Sequence, residues 1–503
     1  MTNPFIDAAF DAMTTWHYVW VVTKDAEGFW AHTDDNIHYR TNVLAELQQR
    51  TVDMLKSRQY GDEMTVKKLI NRLRMYSFAY LDEFKPDSRI VPFANGVYYI
   101  DQHQFLPHGT DIEEGANILG ITPLEYSHKT FSIIPHNFNI EAESIEEWDD
   151  FVNLVFDNDK VAIQTLYEWV GYCCTTKIDK KKFLMGIGPK DSAKTTLSRI
   201  LLNAIGQDNF SLVKFYQICS QDPFVRYNII DMRVNLDDDI GKHKIEDIDQ
   251  ILDLTGGLDY INVNPKHEKP YKHYHITRFW TLCNQIPPIK GLGIPIAGRI
   301  LLFRFKHVFS NTTICPACNK LHKIDSTFES RMKAEPIAEY ILKRAILALG
   351  NLLERQSFVS QSDEEILDIL RLELEPVYGF LHEFCIVEGQ EYEGEIIHLE
   401  DVQCTQQSEL YDAFVEYLDD NGIKSPIDSQ RKFTEQMINY GHRTKDTHQQ
   451  GWNATTQKFE KNTHVKVYRG VVLKDKLFFK NKPAEPKEEE GKHDTINPFE
   501  INP

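Results

Sequence analysis

The sequence contains no run of about 18 or more apolar residues, so hydropathy gives no membrane-spanning helix. Cysteine is scarce, eight in 503 residues, and scattered rather than spaced as a disulfide framework. That usage suits a reducing compartment, and a cytoplasmic location is the expectation. Positive charge is also in short supply. The 56 Lys and Arg against 75 Asp and Glu leave a net charge of −19. A surface generally adhesive to nucleic acid is thereby excluded, but local contact is not. Only charges within about a Debye length, ~8–10 Å, of a phosphate act at full strength. The opening MTNPFIDAAFDAM has no basic leader before an apolar block and does not read as a signal peptide. No internal repeat is present. What remains, 42% hydrophobic and 26% charged, is ordinary for a globular chain, long enough for roughly two to four domains.

Residues 1–145 mix aromatic, extended runs with a charged helical segment near TVKKLINRLRMYSFAYLDEF, which predicts an α+β domain. Residues 146–182 carry apolar side chains at helical spacing and read as a helical collar or linker. From 183 to 345 short apolar runs alternate with turn signals and helical stretches, the pattern of an α/β domain, closing on the helix RMKAEPIAEYILKRAILALGNLLER. Residues 346–480 hold two amphipathic segments and then HVKVYRGVVLKDKLFF, which alternates as a hairpin should. The Pro/Glu-rich end, 481–503, reads as a disordered acidic tail, and its NPFEINP as a motif that could dock a replication partner.

The stretch GPKDSAKTTL, Gly188 to Leu197, departs at one position from the phosphate-binding pattern Gly-x4-Gly-Lys-Ser/Thr: Ala193 stands where the second glycine belongs. A buried strand before such a loop and a helix after it let backbone N–H groups converge on phosphate. KKFLMGIG and TTLSRILLNAIG fit those two roles. Gly188, Pro189, Lys190, Asp191, Ser192, Ala193, Lys194, Thr195 and Thr196 are therefore the expected nucleotide-binding residues. Lys194 would reach the β- and γ-phosphates and the Thr195 hydroxyl would ligate magnesium. Alanine at 193 is expected to cost little, on the reading that the backbone there is already helical.

Such a site also needs carboxylates on a neighbouring strand. MRVNLDDDIG supplies Asp237, Asp238 and Asp239, with Asp238 the expected second magnesium ligand and Asp238 and Asp239 the expected catalytic acids. FWTLCNQIPP ends its strand in Asn284, a neutral group suited to hold an attacking water. AGRILLFRF puts Arg299 at a strand start, where a cation can reach a neighbouring subunit's nucleotide, an arrangement that contributes roughly 10³–10⁵ in rate.

The order and spacing of these motifs resemble the superfamily 3 helicases of viruses and plasmids, with the papillomavirus replication initiators and the poxvirus- and phage-type primase-helicases as the nearest comparisons. The likeness implies a P-loop, AAA+-like ATPase core that hydrolyses ATP with Mg²⁺. It further implies a hexamer that translocates on single-stranded DNA and unwinds duplex. In LTGGLDYINVNPKHEKPY, the turn Thr255-Gly256-Gly257 and the strand DYINV resemble the DNA-tracking hairpin of those families. The resemblance assigns DNA contact to Lys266 and His267 at its tip, and Lys269 lies beside them. Arg299 matches the family's finger arginine, although Gly298 precedes it where many relatives carry a second arginine. RIVPFANGVYYIDQHQFLPH is similar to the domain found before such ATPases. SELYDAFVEYLDDNGIKSPIDSQRKFTEQMINYG with VYRGVVL is similar to the winged-helix segment after them. Arg431, Lys432, Arg443, Lys445, Lys466 and Arg469 concentrate positive charge there, which suits duplex DNA at an origin. Only about 85 residues precede PFANGV, too few for a primase domain. Any primase is expected to be a separate partner, as are a polymerase and a single-strand-binding protein. The alternative function is a nucleotide-gated, origin-binding initiator that recruits another helicase, and a packaging motor is a further rival.

One more motif is chemically distinct. TTICPACNKLH holds Cys315 and Cys318 in a knuckle-like turn with His322 close behind, and His307 within reach as a fourth ligand. Structural zinc takes four such ligands. Cys173 and Cys174 lie in an apolar helical stretch and are expected in the core.

Overall fold

Four apolar segments, FLMGI, VNLD, RFWTLC and ILLFR, are buried almost throughout, as strands covered on both faces must be. They form a five-stranded sheet in the order Ile300–Arg304, Phe183–Ile187, Arg278–Cys283, Val234–Asp237, Phe210–Ser211, and every neighbouring pair is parallel. The computed structural model describes residues 4–22, 28–34, 38–40, 43–56, 62–121, 130–220, 224–241, 243, 245, 248–257, 260–264, 271–400, 403–453 and 458–474. The protein is thus mixed α/β with a parallel sheet.

Helix Lys194–Ile205 follows the strand Phe183–Ile187 directly. Helices Lys160–Cys174 and Glu335–Arg355 pack against each other and onto Lys194–Ile205. Their crossing is close at Gly171, where a Cβ would stand 2.2 Å from the Ala345 carbonyl oxygen. Trp148, Trp169, Leu201, Leu282 and Ile341 join in one core that runs from the helices into the sheet, and it includes the expected core residues Cys173 and Cys174.

Two buried arginines tie this helical layer to the amino ends of the strands. Arg233 is fully buried, and its guanidinium donates to Ser132 Oγ (2.7 Å), Ser132 O (3.0 Å), Cys174 O (2.5 Å) and Thr175 O (3.2 Å). Arg278 donates to Thr175 Oγ1 (3.0 Å) and to the Lys177 carbonyl. Both cations thus sit at the C-terminus of Lys160–Cys174, the end of a helix that favours positive charge.

Upstream, Tyr39–Arg40, Gly28–Thr33, Tyr18–Val22 and Phe78–Tyr80 form a second sheet, accompanied by helices Pro4–Thr14, Leu44–Lys56 and Glu63–Tyr76. PFANGVYY makes a hairpin of Ile90–Phe93 and Gly96–Tyr99, extended by Gln104–Pro107. Its Asn95 side chain donates to Phe138 O (3.0 Å) and accepts from Phe138 N (2.9 Å).

The chain divides into two compact units, Met1–Leu367 and Asp368–Pro503. The second contains helices Pro376–Phe384, Gln407–Asp420 and Gln430–Asn439 around Phe380, Phe414, Phe433 and Tyr468. The sequence predicts a hairpin within HVKVYRGVVLKDKLFF. The structure pairs those strands elsewhere: Lys458–Tyr468 lies against Thr444–Asn453, and Val471–Leu473 against Cys385–Val387. Alternation marks which faces are buried and does not name a strand's partner. Among the described residues, no helix is long and apolar enough to cross a membrane.

Candidate functional site

Gly188 to Ala193 connect the strand Phe183–Ile187 to the helix Lys194–Ile205. The loop starts where no side chain fits, because a Cβ on Gly188 would stand 2.2 Å from the Phe305 carbonyl oxygen. Asp191 and Ala193 both adopt left-handed backbone, with φ of 60° and 64°. This corrects the expectation of a helical backbone at 193. Ala193 is the N-cap, at φ 64° and ψ 6°, the conformation a glycine takes freely and an L-residue takes at a cost of roughly 1–2 kcal/mol. No side chain caps this helix. The N–H groups of its first turn, the turn of Lys194, Thr195 and Thr196, therefore lack both intrahelical and capping partners. Pro189, Lys190 and Asp191 are exposed, Ser192 is buried, and Thr195 and Thr196 are half-buried.

Lys194 turns back into its own loop. Its Nζ donates to Gly188 O (2.6 Å), Pro189 O (2.7 Å), Ser192 Oγ (3.1 Å) and Asn284 Oδ1 (3.1 Å). Burial holds its pKa below the ordinary lysine value. A desolvated ammonium held only by neutral oxygens is well placed to gain from an anion.

The acidic cluster divides in two. Asp237 is buried, and its carboxylate accepts from Phe215 N (2.8 Å), Lys214 Nζ (2.9 Å) and Asp239 N (3.3 Å). It is committed to the protein, whereas its neighbours Asp238 and Asp239 are exposed. Lys214, which the sequence reading missed, also reaches Asp238 Oδ1 (3.3 Å) and Asp239 O (3.1 Å). Burial opposes the charge of Lys214, but its bonds to Asp237 and Asp238 outweigh that and hold its pKa above the usual value. No motif marks this lysine, since it lies 23 residues before Asp237 in the unremarkable SLVKFYQI.

Topology explains why these groups meet. Gly188 follows Ile187, Asp238 follows Asp237 and Asn284 follows Cys283, each immediately beyond the carboxyl end of one parallel strand. The carboxyl edge of an open parallel sheet is where such folds bind ligands. Arg299 lies at the opposite edge. It immediately precedes Ile300, which pairs with Phe183, while Arg304 pairs with Ile187 beside the loop. Five strand residues at ~3.3 Å each put it about 16 Å from the loop of its own chain. Its NH1 donates to Thr255 O (3.3 Å) in the turn that leads to the antiparallel pair Tyr260–Val263 and Tyr271–Tyr274. Burial lowers its pKa from the usual arginine value. It opens onto a cleft shared with Lys180, Lys181, Lys182 and Asp363. Lys266, His267 and Lys269 lie outside the described residues.

A second constellation stands beside the loop. One ligand atom from each of His307, Cys315, Cys318 and His322 lies within 4.8 Å of all the others. Cys315 Sγ is 3.8 Å from His307 Nδ1, and Cys318 Sγ is 3.0 Å from His322 Nε2. Burial raises the Cys315 thiol, but the Val308 N–H and His307 outweigh it and draw the group down to about 6.

A family described only as being of unknown function (DUF5906) matches residues 187–293, a span from the end of the loop strand past Asn284. No curated protein matches the chain. Among solved structures, the A form apo structure of the NrS-1 C terminal region aligns at 9% identity and a TM-score of 0.44, covering 92% of this chain and 98% of that one. The A form apo structure of NrS-1 residues 305–718 aligns at 10% identity and a TM-score of 0.41, with the same coverage. The apo structure of the NrS-1 C terminal region (305–718) gives 9% and 0.41, over 93% and 100% of the two chains.

Proposed function

We propose that this protein is an ATP-driven DNA helicase of the superfamily 3 type, with residues 183–345 as its P-loop, AAA+-like motor. It would act in replication of a virus, phage or mobile element. The observation that carries this reading is the meeting of Lys194, Asn284 and the Asp237–Asp239 turn at one carboxyl edge of a parallel sheet, next to an uncapped helix start. On ATP entry, Lys194 exchanges the Gly188 and Pro189 carbonyls for β- and γ-phosphate oxygens, and the N–H groups of the first helical turn bind the rest. Thr195 and Asp238 are the residues suited to hold Mg²⁺, which supplies charge neutralisation at the phosphates. Asp237 keeps Lys214 against the acidic turn. Asp239 accepts the proton of the attacking water, and Asn284 orients that water against the γ-phosphate.

Arg299 cannot serve its own chain's loop across about 16 Å of sheet. It therefore acts on a neighbouring copy in a ring, with a hexamer as the family-like arrangement. Its bond to Thr255 O gives the ring a coupling. When the neighbour's γ-phosphate recruits the guanidinium, the turn before the strand pair Tyr260–Val263 and Tyr271–Tyr274 is released, and Lys266, His267 and Lys269, to which the resemblance assigns DNA contact, shift along one strand. In the second unit, helix Gln430–Asn439 and the antiparallel strands Thr444–Asn453 and Lys458–Tyr468 support a winged-helix reading, in which Arg431, Lys432, Arg443, Lys445, Lys466 and Arg469 would contact duplex DNA. A nucleotide-gated initiator without unwinding is the alternative, and the strained backbone of Ala193 favours it. The deciding experiment is ATP hydrolysis and fork unwinding by purified protein, with and without single-stranded DNA, beside Lys194→Ala. The helicase reading expects DNA-stimulated turnover that Lys194→Ala abolishes. Nucleotide binding with almost no turnover would favour the gate, and absence of both would end the nucleotide reading.

A further inference from the structure

We propose that His307, Cys315, Cys318 and His322 form a structural zinc site that braces the phosphate loop from behind. The donor set is two sulfurs and two imidazoles, a standard tetrahedral combination for Zn²⁺. With metal bonds of ~2.0–2.3 Å, ligand atoms of a tetrahedral centre stand roughly 3.3–3.8 Å apart. The spread of up to 4.8 Å among the four atoms is therefore within a small closing motion of that geometry.

Two further observations point to a metal. The first concerns the outer partner of His307. Its Nδ1 faces Cys315, while its Nε2 lies 2.5 Å from Asp157 Oδ1. A metal-bound imidazole characteristically donates its other N–H to a carboxylate, which fixes the ring and strengthens it as a ligand. Asp157 lies in the turn just beyond helix Glu146–Val155, far from the knuckle in sequence. The second concerns the segment that carries the ligands. Ile314, Leu321 and Ile324 are all more than 40% exposed, so this loop turns its large aliphatic side chains outward and has little apolar core of its own. Short irregular segments of that kind need a staple. The knuckle backbone is nevertheless well formed, with Cys315 N donating to Lys320 O (2.8 Å) and Asn319 N to Cys315 O (2.9 Å).

The brace follows from the same strand of chain. Phe309 N donates to Asp191 O in the loop (2.9 Å), and Ser310 N donates to His322 O (2.7 Å). Phe305 N donates to Ile187 O (2.8 Å), and the Phe305 carbonyl is the group that excludes a side chain at Gly188. His307 sits between these two contacts. Fixing His307 and His322 to one ion fixes both edges of the chain against which Gly188–Ala193 rests.

The metal content of the full-length protein, purified with zinc supplied and no chelator, tests the site. One zinc per chain is expected, and cobalt replacing it should give a tetrahedral cobalt–thiolate spectrum. Cys318→Ser and His322→Ala should lose the metal. Cys318→His, which keeps four ligands, should retain it, and this separates ligand loss from misfolding. Asp157→Asn should bind zinc 10–100-fold more weakly, as loss of an outer partner does elsewhere. The brace rests on the nucleotide reading, so it has its own measurement: zinc removal should weaken binding of a fluorescent ADP. A chain without zinc, or a Cys318→Ser variant that retains it, overturns the site. A zinc-bearing chain whose ADP affinity is unchanged by chelation overturns the brace, and one that binds no nucleotide at all, loaded or not, contradicts the helicase reading while leaving the zinc site standing.

Discussion

At residue 193 a single methyl group sits on a backbone that glycine would occupy without strain. Relief of the left-handed conformation, roughly 1–2 kcal/mol, is partly offset by the greater unfolded-state freedom of glycine, about 0.5–1 kcal/mol. Ala193→Gly should therefore slow amide exchange at the start of helix Lys194–Ile205, with a net gain of roughly 0.5–1 kcal/mol in local stability. Faster exchange would contradict the left-handed assignment. Position 193 also shows what a sequence pattern conveys. The motif gives the order of residue types around Lys194, and that order was enough to find the loop. It does not give φ, so the backbone at 193 was misread. Lys214 and Asp157 were missed for a different reason: each meets its partner only through the fold, and the intervening chain carries no spacing rule.

At the scale of elements, the strand-end positions of Gly188, Asp238 and Asn284 were legible because short apolar runs that end in turn-forming or polar residues are strongly patterned. Strand partners were not, as the parting of Tyr468 from Val471 shows. The segment joining the hairpin to the sheet carries a titratable group of its own. His275 is buried, and its Nε2 lies 2.8 Å from Leu254 O. Burial above all, with Arg278 and Arg226 adding to it, lowers its pKa from 6.5 to about 4. The unfolded chain thus takes up a proton that the folded chain refuses. Stability from this group is complete above pH 6.5 and is lost as pH falls from there to about 4, by up to about 3 kcal/mol. Urea unfolding of the protein between pH 7 and 4.5 should show that loss, and His275→Gln should flatten it. An unchanged pH profile in the variant would show that His275 is not its source.

For the whole molecule, the decisive feature is the separation of Arg299 from its own loop by the length of the sheet. On the proposed reading, one copy holds the phosphate loop at the carboxyl edge and the finger arginine at the amino edge, so a complete site would require two copies. On that reading the cleft at Arg299, with Lys180, Lys181 and Lys182 around it, is the surface that would receive a neighbour's phosphates. The edge that Arg299 occupies was readable from its standing at a strand start, because parallel topology fixes that edge. Its contact with Thr255 O was not readable, since it depends on how the glycine turn folds back.

The most direct measurement is ATP hydrolysis by mixed variants. Lys194→Ala and Arg299→Ala should each be inactive alone. Mixed in equal amounts and allowed to exchange, they should recover about a quarter of wild-type activity, because about one interface in four pairs an intact Lys194 with an intact Arg299. A mixture as inactive as its components, despite demonstrated exchange of subunits, would contradict a site shared between neighbours.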